Sequence, residues 1–328
     1  MPLQFSSDLQ PAPGAGTPPP IAPPAREREA TTGEPVDMPL VSMLIAVRDE
    51  EDYLAECLQS VLAQTHRNLE VILVDDNSKD ATFAIAERFR QRDARLQVMR
   101  AVGRGKVRAF NQAWQHARGD VIVVYAGDDV MPPNSVAERV ALLRDQACEV
   151  GSGRVVSFSL NPKYDGIPYP RGEGPNYSGG ALVMTRRFAA GVFPIPPELP
   201  NEDLWIRLHI DCFAARFPWT GTVVSRYRIH EANSMAFGAP FNTKSAVLAR
   251  RARVYHIFLE RFRDRLSREH VARLEAMVRL SELREQGKVM GILLQPRVDL
   301  RQKLATLSVA TPTLYRLRLL VERHVMGR

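Results

Sequence analysis

Apolar and polar positions alternate along this chain in blocks. The run from Val41 to Val47 is almost wholly apolar and β-prone, which predicts a strand buried on both faces. Asp49, Glu50 and Glu51 follow it, and their charges suit the start of a helix. Leu54, Leu58, Val61 and Leu62 then recur on one helical face. A second buried strand is predicted from Leu69 to Val74. It ends at Asp75-Asp76-Asn77-Ser78, a sequence of turn and N-cap formers. Phe83, Ala86 and Phe89 mark the next helix, Leu96 to Met99 a short third strand, Lys106 to Ala117 a helix, and Val121 to Tyr125 a fourth strand. A helix follows Pro132-Pro133 as far as about Ala147. Residues 151–200, rich in Gly and Pro, predict loops and short strands framing a cleft. A helix over Glu202 to Ala214 and a strand over 218–228 come next, and from Thr243 the pattern is helical nearly to the end.

Strand, helix, strand, helix with short polar joins specifies an α/β fold whose mostly parallel sheet is flanked by helices, followed by a C-terminal α-helical extension. Ligands of such sheets bind beyond the carboxyl ends of the strands. Those ends carry Arg48-Asp49-Glu50, Asp75-Asp76 and Gly127-Asp128-Asp129, so acidic groups gather at three of them.

Composition changes this picture mainly at the two ends. Residues 1–39, with Pro18-Pro19-Pro20 and Pro23-Pro24, have too little apolar surface to order themselves and read as a disordered extension. The formal net charge of +7 is uneven: residues 241–328 hold 19 Lys and Arg against 8 Asp and Glu, leaving 25 against 29 in the rest. The organisation expected is therefore an extension over 1–39, an α/β domain over 40–240 and a basic helical region over 241–328. The three cysteines, Cys57, Cys148 and Cys212, have neither disulfide nor zinc spacing. With no secretory h-region and no apolar run long enough to span a bilayer, a cytoplasmic location is expected.

Asp128 and Asp129 are hard oxygen ligands of the kind that Mg2+ or Mn2+ takes alongside phosphate oxygens, although a capped turn would also place two acids there. Asp75 alone, at a strand end before a helix, reads more often as a cap than as a ligand contact. Gly103-Arg104-Gly105-Lys106 is not a P-loop, because Val107 stands where Ser or Thr is required, but Arg104 and Lys106 can meet phosphate as point charges. Glu202-Asp203 opens a helix and offers a general base. His230 follows Tyr227-Arg228-Ile229.

The order of these motifs resembles the family 2 glycosyltransferases of GT-A fold. The resemblance rests on 41–51 as opening strand and nucleotide loop, 69–82 as second-strand motif, and 111–130 as the helix and strand of the metal motif. Ser178-Gly179-Gly180-Ala181, Asn201 to Trp205 and Tyr227 to Ser234 fit as later landmarks. The resemblance implies inverting transfer of a sugar from a nucleotide-diphosphate sugar, with UDP as the expected nucleotide, to a hydroxyl of a glycan or lipid-linked acceptor, in polysaccharide or glycolipid assembly. It implies that Ala46, Arg48 and Glu50 line the nucleoside, Asp75 bonds the base, and Lys106 and Asp128 sit near phosphate and ribose. Asp128, Asp129 and His230 would hold Mn2+ or Mg2+, and Asp203 or its neighbour Glu202 would deprotonate the acceptor. Three positions depart from the family pattern: Ala126 replaces a common Asp, Ala46 a common Pro, and Arg48 a common aromatic residue.

The basic tail carries Val254, Phe258 and Phe262 on one stripe and Leu314, Leu317, Val321 and Val325 on another, among many arginines. Such faces suit an anionic membrane surface on the cytoplasmic side, or packing on the enzyme or a second subunit in a homodimer; nucleic acid is not among the expected partners. Two rival functions remain at this level. A sugar nucleotidyltransferase would open with a glycine-rich loop, which Arg48-Asp49-Glu50-Glu51 is not. A non-catalytic binding module takes its support from Ala126.

Overall fold

Residues 38–230 and 239–326 are described by the computed structural model, with side chains described as far as residue 321. They fall into two compact units, one ending at His230 and one comprising the helices after it. The extension expected over 1–39 lies, but for Met38 and Pro39, outside the described residues, as do Glu231 to Ser234 of the last landmark.

The first unit starts β1 (Val41–Val47), α1 (Leu54–Leu62), β2 (Leu69–Asp75), α2 (Thr82–Arg90), β3 (Leu96–Arg100), α3 (Lys106–His116), β4 (Val121–Ala126) and α4 (Ser135–Asp145). It continues β5 (Val150–Phe158), β6 (Pro168–Tyr169), β7 (Leu182–Thr185), α5 (Arg186–Val192), α6 (Asp203–Phe213) and β8 (Trp219–Arg228). One sheet runs in the order β3-β2-β1-β4-β7-β5-β6, and β8 also pairs with β5. From β3 to β4 the strands are parallel, as is β8 on β5, while β7 is antiparallel to both its neighbours. This is the mostly parallel α/β sheet that the apolar pattern predicted.

The core explains why β1 and β2 are buried on every residue. On one face Met43, Ile45 and Val47 of β1 meet Leu54, Leu58 and Val61 of α1, Ile85 of α2 and Val136 of α4 in one cluster. Helix α3 packs on the other face, burying Val107, Phe110 and Ala113 over β1 and β2. Each of these side chains contributes roughly 1.5–3 kcal/mol on leaving water. Because β1 lies between β2 and β4, the chain reverses its direction of travel across the sheet there, and the loops after β1 and β4 open a crevice between them.

Two expectations need correction. The Asp75-to-Ser78 cluster does not cap α2, whose N-cap residue is Ala81; nor do Asp128 and Asp129 cap α4, which begins after Asn134. Both clusters stop short of their helices because their side chains are engaged with other loops. The Gly- and Pro-rich region after 150 also contains more than short strands. Its β5 is nine residues long and lies inside the sheet, where Gly151 and Gly153 leave room for Leu142 and Val224.

The second unit consists of α7 (Phe241–Phe262), α8 (Arg268–Glu285), α9 (Val289–Leu294), α10 (Leu300–Leu307) and α11 (Pro312–Met326). The stripe Val254, Phe258 and Phe262 is buried in this unit, where α7 packs along α8. It is therefore not a face presented to a membrane or a second subunit. A smaller cluster joins Leu280 and Leu283 of α8 to Ile292 of α9 and Ala310.

Candidate active site

The loops after β1 and β2 are laced together. Asp49, with a left-handed φ of 52°, donates its N–H to Ser78 Oγ (3.0 Å) and accepts from the Lys79 N–H on its own carboxylate (2.8 Å). The Glu50 N–H reaches Thr82 Oγ1 at 2.7 Å. The polar residues that resembled helix caps instead satisfy backbone donors of a neighbouring loop, as buried or half-buried amides require.

The Asp75 carboxylate is fully buried at the end of β2. It accepts from the Ser78 hydroxyl and from Arg100 Nη1 at 3.2 Å, and the Arg100 guanidinium lies 3.8 Å over the Phe83 ring. Asp76 accepts from the Gly105 N–H at 2.8 Å and lies 3.9 Å from Arg48. It thereby ties β2 to the glycine turn at the start of α3, where Gly103 and Gly105 take φ of 90° and 116°, values that L side chains rarely adopt. Ala46 is buried in mid-sheet between Val74 and Ala126, and Arg48 is half exposed at the rim.

Glu50 turns back into the crevice. A Cβ on Gly127 would come within 2.1 Å of Glu50 Oε2 and 2.4 Å of Val47, so the loop after β4 passes there only as glycine. Burial, followed by the charge of Asp128, holds the Glu50 carboxyl well above its ordinary pKa, and its buried Oε2 has no hydrogen-bond partner among the described residues. Asp129 is raised in the same way, by burial first and Asp128 second.

Asp128 Oδ2 lies 3.2 Å from His230 Nε2, and the His230 ring packs 4.5 Å from that of Tyr53. Asp129 instead turns inward and accepts the Arg228 N–H at 3.0 Å. The expected trio Asp128, Asp129 and His230 is thus not one ligand set, and among the described residues no group of three such side chains converges for a metal. What remains, Asp128 beside His230 with the orphaned Glu50 oxygen in the same crevice, fits a cation that takes one or two protein ligands and completes its shell with phosphate oxygens and water.

Lys106, the first residue of α3, enters this crevice from the rim. Its Nζ is 2.9 Å from Glu202 Oε1. Burial alone would lower its pKa, but Glu202, Asp203 and Asp128 outweigh it and keep the ammonium charged. Glu202 is buried and raised by that burial, although Lys106 pulls the other way. Asp203, the first residue of α6, is only half-buried and accepts from Asn201 Nδ2 at 3.2 Å. The two adjacent carboxylates therefore differ: one is buried in an ion pair and the other is only half-buried.

Arg228, to which the motifs assigned no role, organises the floor. Its Nε donates to the Asp128 carbonyl (2.8 Å) and its Nη2 to Glu56 (2.5 Å), with the guanidinium 4.4 Å over Phe158 and 4.9 Å over Tyr53. Arg139, fully buried on α4, is a second omission. It donates to Ser135 and to the Gly180 carbonyl, and burial brings its pKa down to about 10. Only the landmark around Ser178 hinted at that turn: added Cβ atoms on Gly179 and Gly180 would sit 3.6 Å from Glu202 and Asp129.

A doubly flanked, mostly parallel sheet with carboxylates, a lysine and a histidine at its switch point defines a GT-A-type α/β protein. The comparison with known proteins then fixes the family: this chain belongs to glycosyl transferase family 2, whose model matches residues 42–188. It is 32% identical to EpsE of Bacillus subtilis, named as a glycosyltransferase, over 53% of this chain and 68% of that one. The chain spans about three fifths of other curated relatives it matches, 62% and 59% of their lengths in two cases. Among solved structures it is similar to Staphylococcus aureus TarS 1-349 in complex with UDP-GlcNAc, with a TM-score of 0.54 at 18% identity, covering 84% of this chain and 83% of that one. It is also similar to the mannosyltransferase PcManGT of Pyrobaculum calidifontis in complex with GDP-Man and Mn2+, with a TM-score of 0.55 at 18% identity, covering 92% and 80%.

Proposed function

We propose that this protein is an inverting glycosyltransferase that moves a sugar from a nucleotide-diphosphate sugar, UDP-linked by our reading, to a hydroxyl of a glycan or lipid-linked acceptor in cell-surface polysaccharide or glycolipid assembly. The observation that carries the reading is the set of carboxylates gathered within reach of the Lys106 charge, namely Glu50, Asp128, Glu202 and Asp203. Family membership supports the reaction class. The TarS complex with a UDP-sugar supports the donor class, and the GDP-Man complex keeps the choice of base a matter for experiment.

The residues supply the chemistry as follows. Asp75 and Arg48 flank the place of the base and nucleoside, together with Ala46 and Glu50. Lys106 presents a fixed positive charge to the diphosphate, stabilising the negative charge that grows as the leaving group departs. Asp128 and His230 would hold Mn2+ or Mg2+, which when bound neutralises diphosphate charge. Asp203 is the general base: its carboxylate is only half-buried, whereas that of Glu202 is buried and paired with Lys106. Asp203 takes the acceptor proton as the hydroxyl attacks the anomeric carbon from the face opposite the diphosphate. Attack and departure in line invert that carbon. Three cysteines without disulfides suit a cytoplasmic site of action, where nucleotide sugars are at hand.

The test is calorimetric titration with UDP, GDP and dTDP, each with and without Mn2+. Manganese-dependent binding of one diphosphate, lost in Asp128→Ala, supports the proposal and names the base. Absence of binding by all three favours a non-catalytic module.

A further inference from the structure

Eleven large hydrophobic side chains are exposed among the described residues, and eight of them lie between Met290 and Val321. The density is highest on α9 and α10. Met290, Leu293 and Leu294 occupy one outer face of α9, and Leu300 and Leu304 one face of α10, with Leu294 74% and Leu300 66% exposed. The two helices already bury an inner side, where Ile292, Val298 and Leu307 pack against Leu280 and Leu283. Lys303 Nζ donates to the Leu293 carbonyl at 2.9 Å and brings the helices side by side, so their outer leucines belong to one surface. A cluster of this kind on a water-facing surface marks an interaction site.

The charge around it selects the partner. From Lys288 to Val321 the chain carries six cations, Lys288, Arg297, Arg301, Lys303, Arg316 and Arg318, against the single anion Asp299. A second copy of the chain meeting this patch across a twofold axis would set cations against cations. Nucleic acid would use the cations but has no place for five exposed leucine and methionine side chains and prefers aromatic stacking partners. An anionic lipid bilayer satisfies both features: its interface takes the apolar side chains, and its headgroups take the arginines and lysines. No helix among the described residues is long and apolar enough to cross a membrane.

We propose that α9 and α10 form a docking surface by which this protein lies on an anionic membrane, inserting Met290, Leu293, Leu294, Leu300 and Leu304. This goes beyond the transferase reading and does not depend on it. It also moves the contact from the α7 stripe, which is buried, to a different pair of helices.

The test is co-sedimentation of the full chain with vesicles of phosphatidylcholine alone or mixed with phosphatidylglycerol, at low and high salt. The intact protein is expected to bind the mixed vesicles, to bind the neutral ones far less, and to be released by salt. A Leu294→Ser, Leu300→Ser, Leu304→Ser variant is expected to bind the mixed vesicles at least about tenfold more weakly. An Arg297→Glu, Arg301→Glu variant, which leaves every apolar side chain in place, is expected to lose the preference for anionic lipid. Circular dichroism establishes that both variants fold. Equal binding by intact protein and triple variant overturns the proposal, as does failure of the intact protein to bind anionic vesicles. Light scattering that shows a dimer dissociated by the triple variant, without vesicle binding, assigns the surface to a second copy and overturns it as well.

Discussion

Glu202 and Asp203 are chain neighbours with opposite surroundings, and mutation should separate their roles. Asp203→Asn keeps the Asn201 contact and removes the base, so kcat is expected to fall about 10²–10⁴-fold with donor binding nearly unchanged. Glu202→Gln weakens the hold on Lys106 and is expected to act on donor affinity instead; steady-state kinetics on both variants distinguishes them. Glu50 carries a different signature. Because burial raises its folded pKa, its carboxyl is tolerated best when protonated, and that contribution is lost as pH rises from the ordinary value near 4.5 through the raised one. Glu50→Gln is therefore expected to stabilise the metal-free protein by roughly 0.5–2 kcal/mol at pH 8 and by less at pH 4, while weakening donor binding. Urea denaturation at the two pH values measures this; equal effects at both would contradict it.

Between elements, one buried carboxylate acts as a clamp. Glu70 at the start of β2 accepts from Ser42 Oγ of β1 at 2.6 Å and from the N–H groups of Arg118 and Gly119, which lead into β4. Burial would raise its pKa, but these hydrogen bonds and the Arg118 charge outweigh it and leave it lowered. A lowered folded pKa contributes stability above the unfolded value, and this is lost as pH falls through the folded one. Glu70→Gln is accordingly expected to cost about 1–3 kcal/mol at pH 7 and to converge with the parent at acid pH below both values. A pH series of denaturation curves reads the convergence. The elements themselves were legible: β1, β2, β4, α1 and α3 fall within a residue or two of their periodic patterns. Strand β5 was not, because its glycines, placed where Leu142 and Val224 press close, look like loop residues until their neighbours are known.

For the molecule as a whole, the site concentrates negative charge that a diphosphate-bound cation would offset. All three tryptophans, Trp114, Trp205 and Trp219, lie in the unit ending at His230, so their fluorescence reports its unfolding separately from the helices after it. At a ligand concentration about 100 times Kd, the matching diphosphate with Mn2+ is expected to stabilise that unit by ~2.7 kcal/mol. That is an upward shift of Tm by about 5–10 °C, absent in Asp128→Ala.

Sequence alone determined the order of elements, the α/β class, the family resemblance and the strand ends where acidic groups collect. These follow from local periodicity and from side chains that must leave water. The tertiary structure decided which of those groups meet. It pairs Lys106 with Glu202, engages Asp129 with the Arg228 N–H while Asp128 meets His230, and brings Arg228 back to the loop after β4. It also buries the α7 stripe while leaving the leucines of α9 and α10 outside. The reason is physical. A polar side chain in the crevice is satisfied by groups as many as 172 residues away in the chain, as Arg228 is by Glu56, and an amphipathic pattern states only that one face is apolar, not what covers it.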